Sequence, residues 1–256
     1  MAHRKHARTL VAVALLVGAL TAAGCGRRST HASSTVTVFA AASLTEVFTS
    51  IGEGFEADNP GVEITFNFAS SSALAGQIRS GAPVDVFASA DAATMSRLTD
   101  AGGTTGAPTT FARNELVIVV GAGNPRKITS IRDLADPDLI VVLAAPQVPA
   151  GRYAAQILEQ AGVTVTPKSL EADVKAVLTK VTSGEADAGI VYATDVRAAG
   201  DEAVGIAIPE AANVVATYPV AIVEGAPNPA GASAFLAYLT GPKGQATLAS
   251  FGFGRP

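Results

Sequence analysis

Histidine is missing from almost the whole chain. The three that occur, His3, His6 and His31, all fall in the first 31 of 256 residues. Cysteine occurs once, as Cys25. A Ser-His-Asp or Cys-His nucleophile therefore cannot be assembled downstream. A zinc site of histidine and cysteine is equally excluded, and a lone cysteine closes no internal disulfide. Neither a Walker A pattern nor a G-x-S-x-G elbow occurs. Asp85 and Asp91 offer a pair of carboxylates, but strand-end and helix-capping acids are the ordinary reading of such positions. No enzyme and no cofactor are expected. Charge is also sparse, at 16% of residues against a typical ~25%. No basic cluster exists to neutralise phosphates, so nucleic acid is not an expected partner. What the chain has instead is 48% hydrophobic residues, enough for a sizeable core.

The first residues read as an export signal. Arg4, Lys5 and Arg8 form a positive start, Leu10 to Leu20 is apolar, and Thr21-Ala22-Ala23-Gly24 supplies small residues before Cys25. The apolar run is too short to span a bilayer. Residues 1–24 are expected to be removed. A cysteine in this place resembles a bacterial lipobox, which implies lipidation at Cys25 and anchoring on the outer face of the cell membrane. Residues 25–34 (Cys25, then GRRSTHASS) then form the lipidated cysteine and a flexible tether. Removal of the signal leaves 15 Lys+Arg against 22 Asp+Glu, a net charge near −7.

From Thr35 onward short apolar runs alternate with amphipathic segments. Strands are expected at 36–40, 62–68, 84–88, 115–120, 139–144 and 188–192, with a β-rich stretch at 214–223 broken by Pro219. Helices are expected at 43–58, 73–79, 92–99, 151–161, 173–182, 230–240 and 242–251, and a short turn at 131–134. The alternation predicts an α/β protein with mostly parallel sheets.

Four strand-to-helix junctions carry groups that suit an anion. Ser43-Leu44-Thr45-Glu46 fits a capping box, whose ordinary reading is a helix start. Ser70, Ser71 and Ser72 crowd a second junction. Pro149-Ala150-Gly151 lets a ligand approach the backbone closely. Glu171-Ala172-Asp173-Val174 opens a fourth helix. Helix starts carry unpaired N–H groups and partial positive charge, worth ~0.3–1 kcal/mol each to an anion. Converged, they would form a site neutral in formal charge yet electropositive. Tyr192, at a strand end, adds a phenolic donor or serves only as a core-edge tyrosine.

The same residues resemble the molybdate-binding proteins of ABC transporters, within the type II periplasmic binding proteins. The likeness runs through VFAAASL at 38–44, FASSSALAGQI at 68–78, GAPVDVFASAD at 81–91, VPAGRYA at 148–154, EADVKAVL at 171–178, AGIVYATD at 188–195 and YPVAIVEG at 218–225. It implies two Rossmann-like lobes joined by two crossover strands, near Asn114–Val120 and Thr217–Val223. Lobe 1 would comprise 35–116 and 220–256, and lobe 2 would comprise 117–219. It implies that Ser43, Ser71, Ala150, Val174 and Tyr192 bind molybdate or tungstate as an intact oxyanion, with no direct metal ligands. A permease and an ATPase are the implied partners of a monomeric binding protein. Sulfate, thiosulfate or ferric ion are the alternatives from the same fold. Ferric sites use adjacent tyrosines and carboxylates, whereas Tyr153, Tyr192, Tyr218 and Tyr238 lie apart in sequence.

Overall fold

The computed structural model describes residues 34–256. The signal, Cys25 and all but the last residue of the tether lie outside the described residues. That last residue, Ser34, is not tether: it opens the first strand and pairs with Val62.

The apolar run after Ser34 forms β1 (Ser34–Ala41), followed by a short 3-10 turn at Ala42–Leu44 and helix α1 (Thr45–Asp58). Then come β2 (Val62–Ala69), α2 (Ser71–Arg79), β3 (Val86–Ala88) and α3 (Ala92–Asp100). Strand β4 (Thr104–Gly121) is 18 residues long. After it come β5 (Val141–Ala144), α4 (Pro149–Ala161), β6 (Ser169–Glu171), α5 (Val174–Thr182) and β7 (Ala188–Tyr192). The chain closes with α6 (Ala193–Ala199), β8 (Ala203–Ala207), β9 (Val215–Val223), α7 (Pro229–Thr240) and α8 (Pro242–Ser250).

Among the described residues the nine strands join in the order β2-β1-β3-β9-β4-β7-β5-β6, with β8 also on β4. Two parallel sets, β2-β1-β3 and β7-β5-β6, stand at either side. Between them β4 and β9 run antiparallel, β4 passing on to pair with β7 and β8. This is the two-lobed α/β fold with two crossover strands. The sheet is mixed rather than mostly parallel, because both connecting strands run against their neighbours. Pro219 does not break β9. It sits opposite Thr110 where β4 shifts register on both sides, and such irregularities tolerate a residue with no N–H.

The first parallel set is covered on both faces. Leu44, Phe48, Ile51 and Phe55 pack with Val36, Val38 and Phe235 on one side, and Leu74, Ile78, Met95 and Leu98 pack with Phe39 and Phe87 on the other. Each such fully buried side chain contributes ~1.5–3 kcal/mol relative to exposure. In the second set Ile118, Val142 and Ile190 meet Ile157 and Val177 of α4 and α5. Rigid cores on both sides fix where the strand ends point.

Candidate functional site

Five residues at five strand ends line one cavity. Ser43 follows β1, Ser71 follows β2, Ala150 follows β5, Val174 follows β6, and Tyr192 ends β7. All stand at carboxyl ends of parallel strands, where open α/β sheets bind their ligands. The structure thus brings together all five positions expected from the sequence. Ala41, Ala42, Ser70, Ala90, Val148, Pro149 and Asp173 complete the wall. The space is small: about 10 Å³ is open to the centre of a water-sized sphere, room for one water-sized body. Any larger solute requires the walls to separate slightly.

The donors are set up by local structure. Ala150 is the second residue of α4 and Val174 the first of α5, so neither amide has an intrahelical acceptor. Asp173 caps α5 by accepting the Ala176 N–H at 2.9 Å, which commits that carboxylate to the helix start. Ser70, not Ser71, caps α2. That leaves Ser71 Oγ to accept the buried Ala90 N–H at 2.9 Å and to spend its own proton elsewhere. Ser43 lies in the 3-10 turn ahead of α1, and no capping box forms there. Its Oγ meets Tyr218 Oη at 3.0 Å instead, while Glu46 reaches out to Lys175.

Tyr192 is 1% exposed, and its hydroxyl has no hydrogen-bond partner among the described residues. Burial holds this phenol well above its ordinary pKa, so it remains a donor. A buried hydroxyl without a partner costs ~1–3 kcal/mol. It is retained where something else supplies the acceptor. Tyr192→Phe should therefore act with opposite signs: a melting temperature for the free protein raised by a few degrees, and any charged acceptor held in this cavity bound more weakly by ~1.5–3 kcal/mol. Thermal melts with and without ligand check both signs.

Two ion pairs join the two sides of the cavity. Arg152 of α4 reaches Asp91, which caps α3, with Nε 3.0 Å from Oδ2, and its Nη2 also bonds Thr94 Oγ1 at 2.7 Å. Lys175 of α5 bonds Glu46 of α1 at 2.8 Å and lies 3.3 Å from Asp195 Oδ1. Both cations beside the cavity are thereby paired with carboxylates, and the donors facing it carry no formal charge. Asp85 is structural, accepting the Thr37 and Asn228 N–H groups. Asp91 and Asp85 are capping and strand-end acids, as their ordinary reading has it.

Asp195 is fully buried, and burial pushes its carboxyl up to about 6 although Lys175 and the Tyr192 N–H pull it down. A folded pKa above the unfolded ~3.9 means that the native state binds this proton more tightly. The group's stabilising contribution is complete below pH ~4 and is lost as pH rises through about 6. Asp195→Asn should flatten the fall in stability across pH 4–6, read from urea midpoints at each pH. An unchanged profile would rule out Asp195 as its source.

One expectation about the tyrosines needs correction. They are separate in sequence, but Tyr192 and Tyr218 pack ring to ring at 5.7 Å between centroids. The phenols converge because β7 and β9 both flank β4. Among the described residues no group of three or more His, Cys, Asp or Glu is placed to hold a metal ion.

Residues 36–254 match the model of the bacterial extracellular solute-binding proteins. The molybdate-binding protein ModA of Mycobacterium tuberculosis is 44% identical over 251 residues, covering 95% of each chain. Among solved structures, the Azotobacter vinelandii periplasmic molybdate-binding protein superposes with a TM-score of 0.77 at 22% identity, covering 86% of this chain and 99% of that one. The sulfate-binding protein SubI of M. tuberculosis gives 0.78 at 19% identity, covering 86% of each. These two show the fold alone. By the family match and the full-length relative together, the chain belongs to the bacterial extracellular solute-binding proteins.

Proposed function

We propose that this chain captures molybdate as an intact dianion between its lobes and hands it to the permease and ATPase of an ABC transporter. The observation that carries the reading is the convergence of five donor positions on one cavity, with the Tyr192 hydroxyl buried there and unpartnered. Ser43 and Ser71 supply hydroxyls from lobe 1 (35–116 and 220–256). Ala150 and Val174 supply amides, and Tyr192 a phenol, from lobe 2 (117–219). Closure around the ion brings both sets to charge-assisted strength and excludes water. A site of donors alone suits an ion with acceptors and no proton. It disfavours partly protonated phosphate, whose proton would meet another proton. With no charged donor facing the ion, the site does not trap other anions by charge alone. The solute leaves unchanged, so the protein acts as a carrier and not an enzyme. Tungstate, of the same charge and shape, is bound as well. Cys25 carries the lipid that holds the monomer at the outer face of the membrane.

Calorimetric titration of residues 26–256 with molybdate, tungstate, sulfate and phosphate tests the reading. Saturable, tight binding of molybdate and tungstate, with sulfate and phosphate much weaker, is expected. Equal affinity for sulfate would overturn the molybdate assignment and leave an oxyanion carrier of broader choice.

A further inference from the structure

Ser43 stands between the cavity and a buried tyrosine from the far end of the chain. Its Oγ lies 3.0 Å from Tyr218 Oη, 175 residues away, and Tyr218 is fully buried in β9. Each hydroxyl has one proton, so the contact can run either way. If Ser43 donated to Tyr218, it would face the cavity with lone pairs and oppose an anion. If Tyr218 donates, Ser43 keeps its proton for the cavity.

Burial sets the direction. The Tyr218 hydroxyl is enclosed, and among the described residues Ser43 Oγ is the acceptor within hydrogen-bond reach of it. A phenolic proton left without an acceptor there would be a costly buried donor, whereas Ser43 has the cavity in front of it. The phenolic proton therefore goes to Ser43. Ser71 is treated in the same way by different means, since the Ala90 N–H fills its oxygen. A fixed donor thus stands behind each serine. The one behind Ser71 is backbone; the one behind Ser43 is a side chain and can be removed.

We propose that Tyr218 is a positioning residue that makes Ser43 a donor toward the cavity and so sets the preference for fully deprotonated oxyanions over protonated ones. This rests on the oxyanion-carrier reading above. Without the phenol, Ser43 Oγ regains a free lone pair and accepts a proton from hydrogen phosphate as readily as it donates.

The test is a double-mutant cycle of wild type, Tyr218→Phe, Ser43→Ala and the double variant, each titrated at pH 7 with molybdate and with phosphate. Tyr218→Phe should weaken molybdate about 10-fold and narrow the molybdate-to-phosphate ratio, and in the Ser43→Ala background it should change molybdate affinity by less than about 2-fold. Equal losses in both backgrounds would mean loosened packing and overturn the proposal, as would an unchanged affinity in the single variant. If Tyr218→Phe proves too unstable to titrate, the same cycle in the Gly76→Ala background, which adds stability inside a helix with open space around the new Cβ, must show the same dependence on Ser43 or the proposal fails. A wild type that ignores molybdate and binds sulfate would end the molybdate reading, and the same cycle run with sulfate would decide the role of Tyr218. A wild type that binds no oxyanion would overturn both.

Discussion

Replacing Ser43 and Ser71 together by alanine is expected to weaken molybdate binding by about 3–6 kcal/mol, at least about 100-fold. Each serine does two things. On the reading proposed above, it accepts a hydrogen bond from behind, from Tyr218 or from the Ala90 N–H, and offers its own proton to the cavity. Alanine removes both. The forward loss is a hydrogen bond to a charged acceptor, worth ~1.5–3 kcal/mol per serine. The backward loss leaves a buried donor without an acceptor, so the free protein should also melt several degrees lower. The two consequences separate in one experiment. Saturating molybdate should raise the melting temperature of wild type strongly, because a ligand that binds only the native state stabilises it in proportion to the logarithm of its concentration over Kd. The double variant should show a lower starting point and almost no ligand-induced rise. A water bridging the vacated space would soften either single variant more than the double one. A lowered melting point with a full ligand response would place the serines in the fold and outside the binding site.

How far the sequence carried the site depends on what held each residue in place. Strand-to-helix junctions are local, and four of them were legible from alternating apolar runs and small polar residues. All four became cavity walls. Other parts were invisible for identifiable reasons. The first half of β4 contains Gly106, Pro108 and four threonines, which read as a loop; it is a strand because β9 satisfies its backbone. β6 has three residues, α6 has seven with little apolar periodicity, and β8 alternates around Gly205, so none exceeds the threshold of a periodic signal. The Ser43-x-x-Glu46 pattern looked like a capping box and is not one. Local propensity lost there to a partner 175 residues away and to an ion pair with Lys175. Tyr218 carried no sequence signal for its contact with Ser43, because that contact exists only after β9 has come together with the end of β1. Asp173 was named as a helix start; that its residue also lines the cavity follows only from the packing of α5.

Gly151→Ala is the other substitution expected to act strongly, and for a reason the sequence suggested only in part. The small residues after Pro149 suggested close approach of a ligand. What closes on Gly151 is the protein itself: a Cβ there would overlap the carbonyl oxygens of Ala144 and Ala145, where β5 ends. Those are backbone atoms and cannot rotate away. The first turn of α4 must therefore lift off the strand, carrying the neighbouring Ala150 amide out of line with the cavity and straining the Arg152–Asp91 pair one residue further on. Overpacking against backbone costs about 3 kcal/mol, and a hydrogen bond to a charged acceptor, once misaligned, loses most of its ~1.5–3 kcal/mol. A melting temperature lowered by about 6–12 °C, and molybdate affinity reduced roughly 10- to 100-fold, are expected. Gly76→Ala is the control. It lies inside α2 with nothing within 4 Å of its added Cβ, so it should stabilise the protein by ~0.5–1 kcal/mol and leave binding alone. If Gly151→Ala behaved like the control, the ends of β5 and α4 would have to be freer to part than this packing allows. The Ala150 amide would then be positioned by the ligand and not by the fold.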